Sequence, residues 1–127
     1  MEKDFWKDWV GGIMENIDFS DWQKLDLRIG QIKKVEKVEN ADKLYKLKID
    51  LGTEQRTIVS GLVPYYSEEE LKNKKIILFC NLEPRKIKGI ESNGMVLAAV
   101  TYDKNEKEKE CKLLEPDADI EIGSKVC

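Results

Sequence analysis

Apolar and polar residues alternate over several segments of this chain, which is the pattern of β-strands that bury one face. The alternation is cleanest over residues 44–51, where lysines separate Tyr45, Leu47 and Ile49. A longer strand is predicted over 25–38, with a β-bulge beside Gly30, because the alternation slips by one residue there. Further strands are predicted over 55–60, 75–82, 95–101, 111–114 and 120–126.

Two short helices are predicted besides the strands. Ser67 followed by Glu70 matches the capping box and predicts a helix after the third strand. Near the N-terminus, apolar residues at close to helical spacing predict a short amphipathic helix; they are Phe5, Trp6, Trp9, Val10, Ile13 and Ile17. We therefore divide the chain into an N-terminal helical extension, residues 1–16, and one domain, residues 17–127.

The order of the predicted elements indicates the fold class. Three strands, a short helix and two more strands is the order of an OB-fold, an all-β, five-stranded Greek-key barrel. Short C-terminal strands follow the barrel in this chain. In such a barrel, the connections after the first and fourth strands flank the nucleic-acid face. These connections are predicted at residues 39–43 and 83–94.

Basic residues are concentrated in two segments of an acidic chain. The formal net charge is −3 over 127 residues, yet residues 24–48 contain eight Lys and Arg against four Asp and Glu. Residues 72–90 contain six against one. From charge alone, the favoured interpretation is that these basic residues lie on ordinary solvent-exposed faces of strands and bind no partner. The second segment, however, enters the predicted connection after the fourth strand, which favours contact with nucleic acid.

The composition argues against catalysis. The chain has no histidine, which removes the commonest general base and every zinc site that needs an imidazole. The neighbouring carboxylates Glu68, Glu69 and Glu70 point in different directions on a helix or a strand, so they cannot form a facing acid/base pair. Neither GxGxxG nor a P-loop is present. We therefore expect a protein that is not an enzyme and holds no cofactor or metal.

The sequence predicts a cytoplasmic protein. It contains no run of about 20 apolar residues, the length that crosses a membrane, and its N-terminus lacks the pattern of a signal peptide. The cysteines Cys80, Cys111 and Cys127 are odd in number and have no CxxC spacing, so we expect reduced thiols. No membrane partner is expected.

Several segments of the chain together carry a family resemblance. They are FSDWQKLDLRIGQI, ADKLYKLKIDLG, RTIVSGL, NLEPRKIKGIESNGM and LLEP, in this order. Residues 17–127 resemble the tRNA-binding domain family, which occurs free-standing as structure-specific tRNA-binding proteins and as the C-terminal domain of methionyl-tRNA synthetases. The synthetase-associated cytokine domain is related to it, and a small secretion chaperone is a more distant relative.

This resemblance implies a non-catalytic module that recognises the corner of folded tRNA by shape. It also implies a homodimer that assists an aminoacyl-tRNA synthetase or forms part of one, most simply the methionyl enzyme. The alternative is a peptide-binding secretion chaperone on the same fold, because function depends on the site and not on the fold.

The candidate RNA contacts come from the basic segments and from the resemblance. In the connection after the fourth strand, cationic side chains can replace the counterions of RNA phosphates. An asparagine before them can contact RNA or hold the backbone of the loop. The family segment S-x-G-M contributes a serine and a methionine as RNA contacts, and core packing is the rival role of the methionine. On the first strand, alternation allows only one of two adjacent lysines to contribute. Tyr45 can stack on a base or pack in the core. The predicted RNA-binding residues are Lys33, Asn81, Arg85, Lys86, Lys88, Ser92 and Met95.

Overall fold

The computed structural model describes residues 15–127, which contain two short helices and ten strands. The N-terminal extension predicted over residues 1–16 therefore lies almost entirely outside the described residues. The helices are α1 (Phe19–Trp22) and α2 (Glu68–Leu71). The strands are β1 (Leu27–Val38), β2 (Ala41–Asp50), β3 (Gln55–Ser60), β4 (Lys75–Phe79), β5 (Arg85–Ile87), β6 (Ile90–Ser92), β7 (Met95–Val96), β8 (Ala98–Tyr102), β9 (Glu108–Leu113) and β10 (Lys125–Val126).

Five of these strands form the wall of a barrel in the order β3-β2-β1-β4-β7, and each pairs antiparallel with its neighbour. Strand β10 pairs with the start of β1, while β5–β6 and β8–β9 form separate hairpins. The short helix α2 lies between β3 and β4. This arrangement confirms the predicted all-β, OB-like fold. In the described part of the chain, no helix is both long enough and apolar enough to cross a membrane.

The inward faces of the wall strands form the apolar core. Helix α2 contributes Leu71 to it, and the predicted capping box holds the start of this helix. Ser67 Oγ accepts from the Glu70 N–H at 3.1 Å, and Glu70 Oε1 accepts from the Ser67 N–H at 2.8 Å. The core residues with no exposed surface are Ile32, Leu47, Ile49, Ile58, Leu71, Ile76 and Leu78.

Strand β1 has a bulge, but the bulge lies after Ile32 and not beside Gly30. The pairing of β1 with β2 shifts register between Ile32 and Lys34, whereas Gly30 pairs regularly with β4. The apolar pattern slips at Gly30 because β1 buries residues on both of its faces: Ile32 belongs to the core cluster, whereas Ile29 is buried on the opposite face. Ile29 is buried outside the main core cluster, where its N–H donates to Ser124 O at 2.9 Å in the C-terminal segment.

The barrel closes between β3 and residues 92–93 without a regular strand ladder. The Asn93 N–H donates to Thr57 O at 2.9 Å, and the Val59 N–H donates to Ser92 Oγ at 3.0 Å. The Ser92 hydroxyl also donates to Gly94 O at 3.4 Å. At this junction, which we call the seam, a serine hydroxyl takes the place of a ladder carbonyl. The buried amide of Val59 is thereby paired, as a buried N–H requires.

The strand predicted over 95–101 is divided between two sheets. Strand β7 ends the barrel wall, and β8 pairs with β9 in a hairpin. Leu97 lies between them; its N–H donates to Ile77 O at 3.1 Å, and its carbonyl accepts from the Leu114 N–H at 3.0 Å. The apolar run continues across both strands, so the sequence pattern does not reveal the break.

Two connections also differ from the prediction. The connection predicted over 83–94 contains the β5–β6 hairpin, and the connection predicted over 39–43 is shorter, because β2 already begins at Ala41.

Candidate nucleic-acid interface

The hairpin β5–β6 presents most of the predicted cations. Arg85 pairs with Ser92, Lys86 with Glu91, and the strands are joined by a two-residue turn, Lys88-Gly89. Both turn residues have positive φ, 52° and 80°. This is the signature of a type I′ turn, whose twist matches that of the flanking strands. The basic segment is thus an ordered hairpin.

Three cations of this hairpin are exposed to solvent, namely Arg85, Lys86 and Lys88. Within residues 15–127, none of the three forms an ion pair with a carboxylate. Glu91 lies opposite Lys86 across the hairpin and lowers the local positive potential. The three side chains are available to an anionic ligand, and we call them the hairpin cations.

Lys88 occupies a backbone conformation that lysine adopts rarely. Its φ of 52° lies in the left-handed region, where Gly, Asn and Asp are the usual residues. A residue with a Cβ other than Asn or Asp costs roughly 1 kcal/mol there. The following Gly89 also has positive φ, and a Cβ there meets nothing within 4 Å, so only its backbone conformation demands glycine.

Asn81 holds neighbouring backbone. Its Oδ1 accepts from the Asp26 N–H at 2.8 Å, and its Nδ2 donates to Lys24 O at 2.7 Å. The Cys80 N–H donates to Asp26 O at 2.7 Å beside these bonds. Asn81 therefore fastens the end of β4 to the chain before β1, and its amide is engaged on both sides. Of the two roles predicted for Asn81, these bonds correspond to holding backbone, but the backbone held is that of residues 24–26 and not that of the loop.

Ser92 and Met95 lie where the hairpin joins the barrel. Ser92 is 3% exposed and its hydroxyl is used in the seam, so it does not offer that hydroxyl to a ligand at the surface. Met95 is half-buried, pairs with Phe79 in β4 and packs against the core cluster. Gly94, with φ of 120°, separates them; a Cβ there lies 2.7 Å from Phe79 O. All three positions shape the base of the hairpin.

The bulge in β1 changes the expectation for Lys33. Ile32 is fully buried and Val35 packs against the core, so the bulge leaves two consecutive residues between two inward-facing ones. Both Lys33 and Lys34 are exposed. Strict alternation, from which the sequence predicts that only one of these lysines contributes to the positive face, is interrupted in this part of the strand, and the contribution of each lysine stays a prediction.

Tyr45 belongs to the core. It is 2% exposed, and its hydroxyl donates to Tyr66 O at 2.8 Å. Burial raises the pKa of the Tyr45 phenol above its ordinary value. A ring enclosed in this way has no face on which a base can stack, so the core role holds and the stacking role does not.

Arg56 is a structural residue of the site that the sequence reading missed. Its Nη1 donates to Cys80 O at 2.8 Å and to Asn93 O at 3.2 Å, and its Nη2 pairs with Glu54 at 2.9 Å. Cys80 and Asn93 flank the segment that carries the hairpin, so one guanidinium joins both of its ends to β3. In the sequence, the signal for this role is that Arg56 is the one charged residue of a strand whose other residues are uncharged.

One further ion pair lies near this end of the barrel, between Arg28 and Asp26. Arg28 contacts Asp26 with both arms of its guanidinium, Nε to Oδ1 at 2.8 Å and Nη2 to Oδ2 at 2.9 Å. This hydrogen-bonded pairing holds the pKa of Asp26 below its ordinary value and raises that of Arg28. Arg28 is therefore committed to Asp26, whereas the hairpin cations are not committed to any carboxylate of the described residues.

Comparison with known proteins identifies the family. Residues 27–125 match the family model described as "Putative tRNA binding domain". The chain belongs to this tRNA-binding domain family. The resemblance predicted from the sequence segments is confirmed, and the match covers the barrel wall, both hairpins and the seam.

Curated relatives of this tRNA-binding domain are methionine–tRNA ligases. The ligase of Pyrococcus horikoshii is 50% identical over 113 residues, which are 89% of this chain and 15% of that enzyme. The ligase of Methanocaldococcus jannaschii is 47% identical over 116 residues, 91% of this chain and 17% of that enzyme. The chain thus spans about one sixth of the length of these relatives.

Solved structures share the fold. A MetRS related protein from Pyrococcus horikoshii superposes with a TM-score of 0.77 at 36% identity, covering 90% of this chain and 100% of that one. The CsaA chaperone protein from Picrophilus torridus gives a TM-score of 0.74 at 36% identity, covering 88% of this chain and 100% of that one. The fold is common to both, and the family match favours the tRNA-binding class over the chaperone.

Proposed function

We propose that this chain is a non-catalytic module that binds folded tRNA by shape, with the hairpin cations Arg85, Lys86 and Lys88 contacting phosphates. The observation that carries the proposal is an exposed hairpin on a barrel of the tRNA-binding domain family, whose three cations form no ion pair within residues 15–127. The base of this hairpin is held by Asn81, Ser92 and Arg56. A held hairpin fits a folded RNA at lower entropic cost than a mobile loop.

The three cations also predict how binding depends on salt. Each phosphate contact releases counterions and contributes a slope of about −0.7 to −0.9 to the plot of log affinity against log salt. Three contacts give a slope of roughly −2 to −3, so raising salt from about 50 to 200 mM lowers affinity about 20- to 40-fold. Shape recognition adds a preference for folded tRNA over unstructured RNA.

The experiment is a binding titration of the purified chain against folded bulk tRNA, duplex RNA and unstructured single-stranded RNA, each over a salt series. The test variant is Arg85→Ala/Lys86→Ala. The control is Lys109→Ala/Lys112→Ala, which removes two exposed cations from strand β9 instead. We expect preference for folded tRNA, a steep salt dependence, and loss of affinity in the hairpin variant alone. Equal weak binding to all three RNAs, unchanged by the hairpin variant, contradicts the proposal.

We also propose that the module acts as a homodimer beside a methionine–tRNA ligase in the cytoplasm. The relatives support the synthetase partner, since most of each ligase has no counterpart in this chain. For the dimer, the support is a largely apolar pocket lined by Phe19, Trp22 and Val126, where Phe19 is 69% exposed; Ile17, two residues before Phe19, is 76% exposed. We expect light scattering to give twice the chain mass, and Phe19→Ser to lower it. A monomer at micromolar concentration contradicts the dimer and leaves tRNA binding untouched.

The structural similarity to CsaA chaperones keeps peptide binding as the second candidate. A fluorescent unfolded peptide, titrated in the same buffers with folded tRNA as competitor, distinguishes the two functions. Saturable peptide binding that tRNA does not displace, together with indifference to Arg85→Ala/Lys86→Ala, favours the chaperone.

A further inference from the structure

The seam contains an asparagine followed directly by a glycine, Asn93-Gly94. The pair lies between β6 and β7, in the connection that leads from the hairpin back to the barrel wall. In such a dipeptide the backbone nitrogen of the glycine can attack the side-chain amide of the asparagine, because glycine has no Cβ to block the approach. The proposed function does not use the Asn93 side chain, so its chemistry is considered separately.

The two groups that react in such an attack are not held by other partners. Among the described residues, no hydrogen bond involves the side-chain amide of Asn93 or the N–H of Gly94. The fold requires glycine at the second position, since its φ is 120° and a Cβ there lies 2.7 Å from Phe79 O. The packing of the seam thus places a reactive N–H directly after Asn93.

The backbone of Asn93, by contrast, is held on both sides. Its N–H donates to Thr57 O at 2.9 Å, and its carbonyl accepts from Arg56 Nη1 at 3.2 Å. Ring closure turns the peptide unit between Asn93 and Gly94, which moves this carbonyl away from Arg56. Gly94 is also buried and Asn93 half-buried. The reaction therefore proceeds when the seam opens locally, and the bond from Arg56 sets how often it does.

We propose that Asn93-Gly94 is a site of spontaneous deamidation, and that its product loosens the basic hairpin and weakens RNA binding. The Gly94 nitrogen forms a bond to Cγ of Asn93, and the bond between Cγ and Nδ2 breaks. Nδ2 leaves as ammonia with the proton that the Gly94 nitrogen gives up. Water then opens the resulting cyclic imide at one carbonyl or the other. The products are aspartate and isoaspartate at position 93, and no oxidant or reductant takes part.

Both products disturb the base of the hairpin. Each places a negative charge next to Ser92, which pairs with Arg85, and so lowers the potential around the hairpin cations. Isoaspartate also moves a side-chain methylene into the main chain, so the N–H and carbonyl of residue 93 no longer match the positions of Thr57 O and Arg56. The hairpin then keeps the bond of Arg56 to Cys80 O and loses the bond at its other end. The effect on RNA binding rests on the proposed function; the modification itself does not.

The test ages the purified chain in alkaline buffer, where the Gly94 nitrogen loses its proton more readily, and follows residue 93 by mass spectrometry. Trypsin releases residues 89–104 as one peptide. The internal reference is Asn40, which is exposed and is followed by alanine. We expect Asn93 to convert several-fold faster than Asn40, with isoaspartate among the products. Arg56→Met removes the bond to the Asn93 carbonyl, so it speeds the conversion further when measured below its melting temperature.

The RNA measurement compares converted with fresh protein, which ion exchange separates by their difference in charge. We expect the converted protein to bind folded bulk tRNA about fivefold more weakly at moderate salt, equivalent to the loss of one phosphate contact. The matched control is Asn93→Gln, whose longer side chain closes the corresponding ring far more slowly. Aged in the same way, this variant keeps the affinity that it has when fresh.

Conversion at Asn93 no faster than at Asn40, in the wild-type chain and in Arg56→Met alike, overturns the site. A converted protein that binds folded tRNA as tightly as the fresh protein overturns the effect on the hairpin. If fresh wild-type protein shows no preference for folded tRNA, the proposed function fails, while mass spectrometry still decides whether Asn93 is modified.

Discussion

Removing the Ser92 hydroxyl tests whether the family serine closes the barrel or contacts RNA. In Ser92→Ala, the Val59 N–H loses its partner at 3.0 Å while remaining buried, and Gly94 O loses a weaker bond. An unsatisfied buried N–H costs about 1 to 3 kcal/mol. A loss near 2 kcal/mol lowers the melting temperature by roughly 6 to 12 °C in a domain of this size.

The assay is thermal or urea unfolding followed by circular dichroism, with Ser20→Ala as the control. Ser20 is an exposed residue of α1, and its replacement leaves the seam intact, so we expect a change within about 0.5 kcal/mol. RNA affinity is then measured at a temperature where both proteins are folded. Because the hydroxyl is enclosed, we expect the affinity of folded Ser92→Ala to stay within about twofold of wild type.

Two results refute the reasoning. An unchanged melting temperature shows that the Val59 amide does not depend on the serine. A loss of RNA affinity as large as that of Arg85→Ala/Lys86→Ala, in a protein of unchanged stability, shows that Ser92 contacts the ligand directly.

Three further substitutions probe the hairpin, the core and the electrostatics. Lys88→Asn keeps the left-handed turn with a residue that prefers it, so we expect equal or up to about 1 kcal/mol higher stability and weaker tRNA binding; unchanged affinity removes Lys88 from the interface. Tyr45→Phe deletes the bond to Tyr66 O and lowers stability by about 1 kcal/mol; reduced RNA affinity at constant fold contradicts its core role. Asp26 has a pKa lowered by Arg28, so the pair stabilises the fold above pH 3.8 and loses that effect as pH falls through the folded-state pKa. Asp26→Asn is therefore less stable than wild type at neutral pH, and a urea series at falling pH shows the difference shrinking below pH 3.8; a difference constant with pH refutes the pairing.

The barrel could be predicted because its strands follow a local rule. Alternation over β2 gave the inward residues Tyr45, Leu47 and Ile49, all of which are buried. The capping box at Ser67 is likewise a local signal, and both of its hydrogen bonds are present. Periodicity and capping depend on neighbours within a few residues, so they are visible in a single sequence.

The features that escaped prediction depend on distant partners. Nothing near Ile32 in the sequence marks a bulge, because the shift is defined by register with β2. Arg56 joins Cys80 and Asn93, which are 24 and 37 residues away. The roles of Ser92 and Asn81 follow from bonds spanning 33 and 55 residues. The candidate residues were therefore found by type, and the structure separates those that face solvent from those that hold the hairpin.

The seam has a consequence for the order of events during synthesis. Its contacts join β3 to residues that follow 33 positions later, whereas β2 and β3 meet through a short hairpin connection. Distant contacts require closure of a longer loop, so they form after local ones. A chain emerging from the ribosome completes β1, β2 and β3 before the residues that anchor the basic hairpin exist. We expect nascent chains to acquire RNA affinity only after residues 92–93 have left the ribosome and the seam has closed.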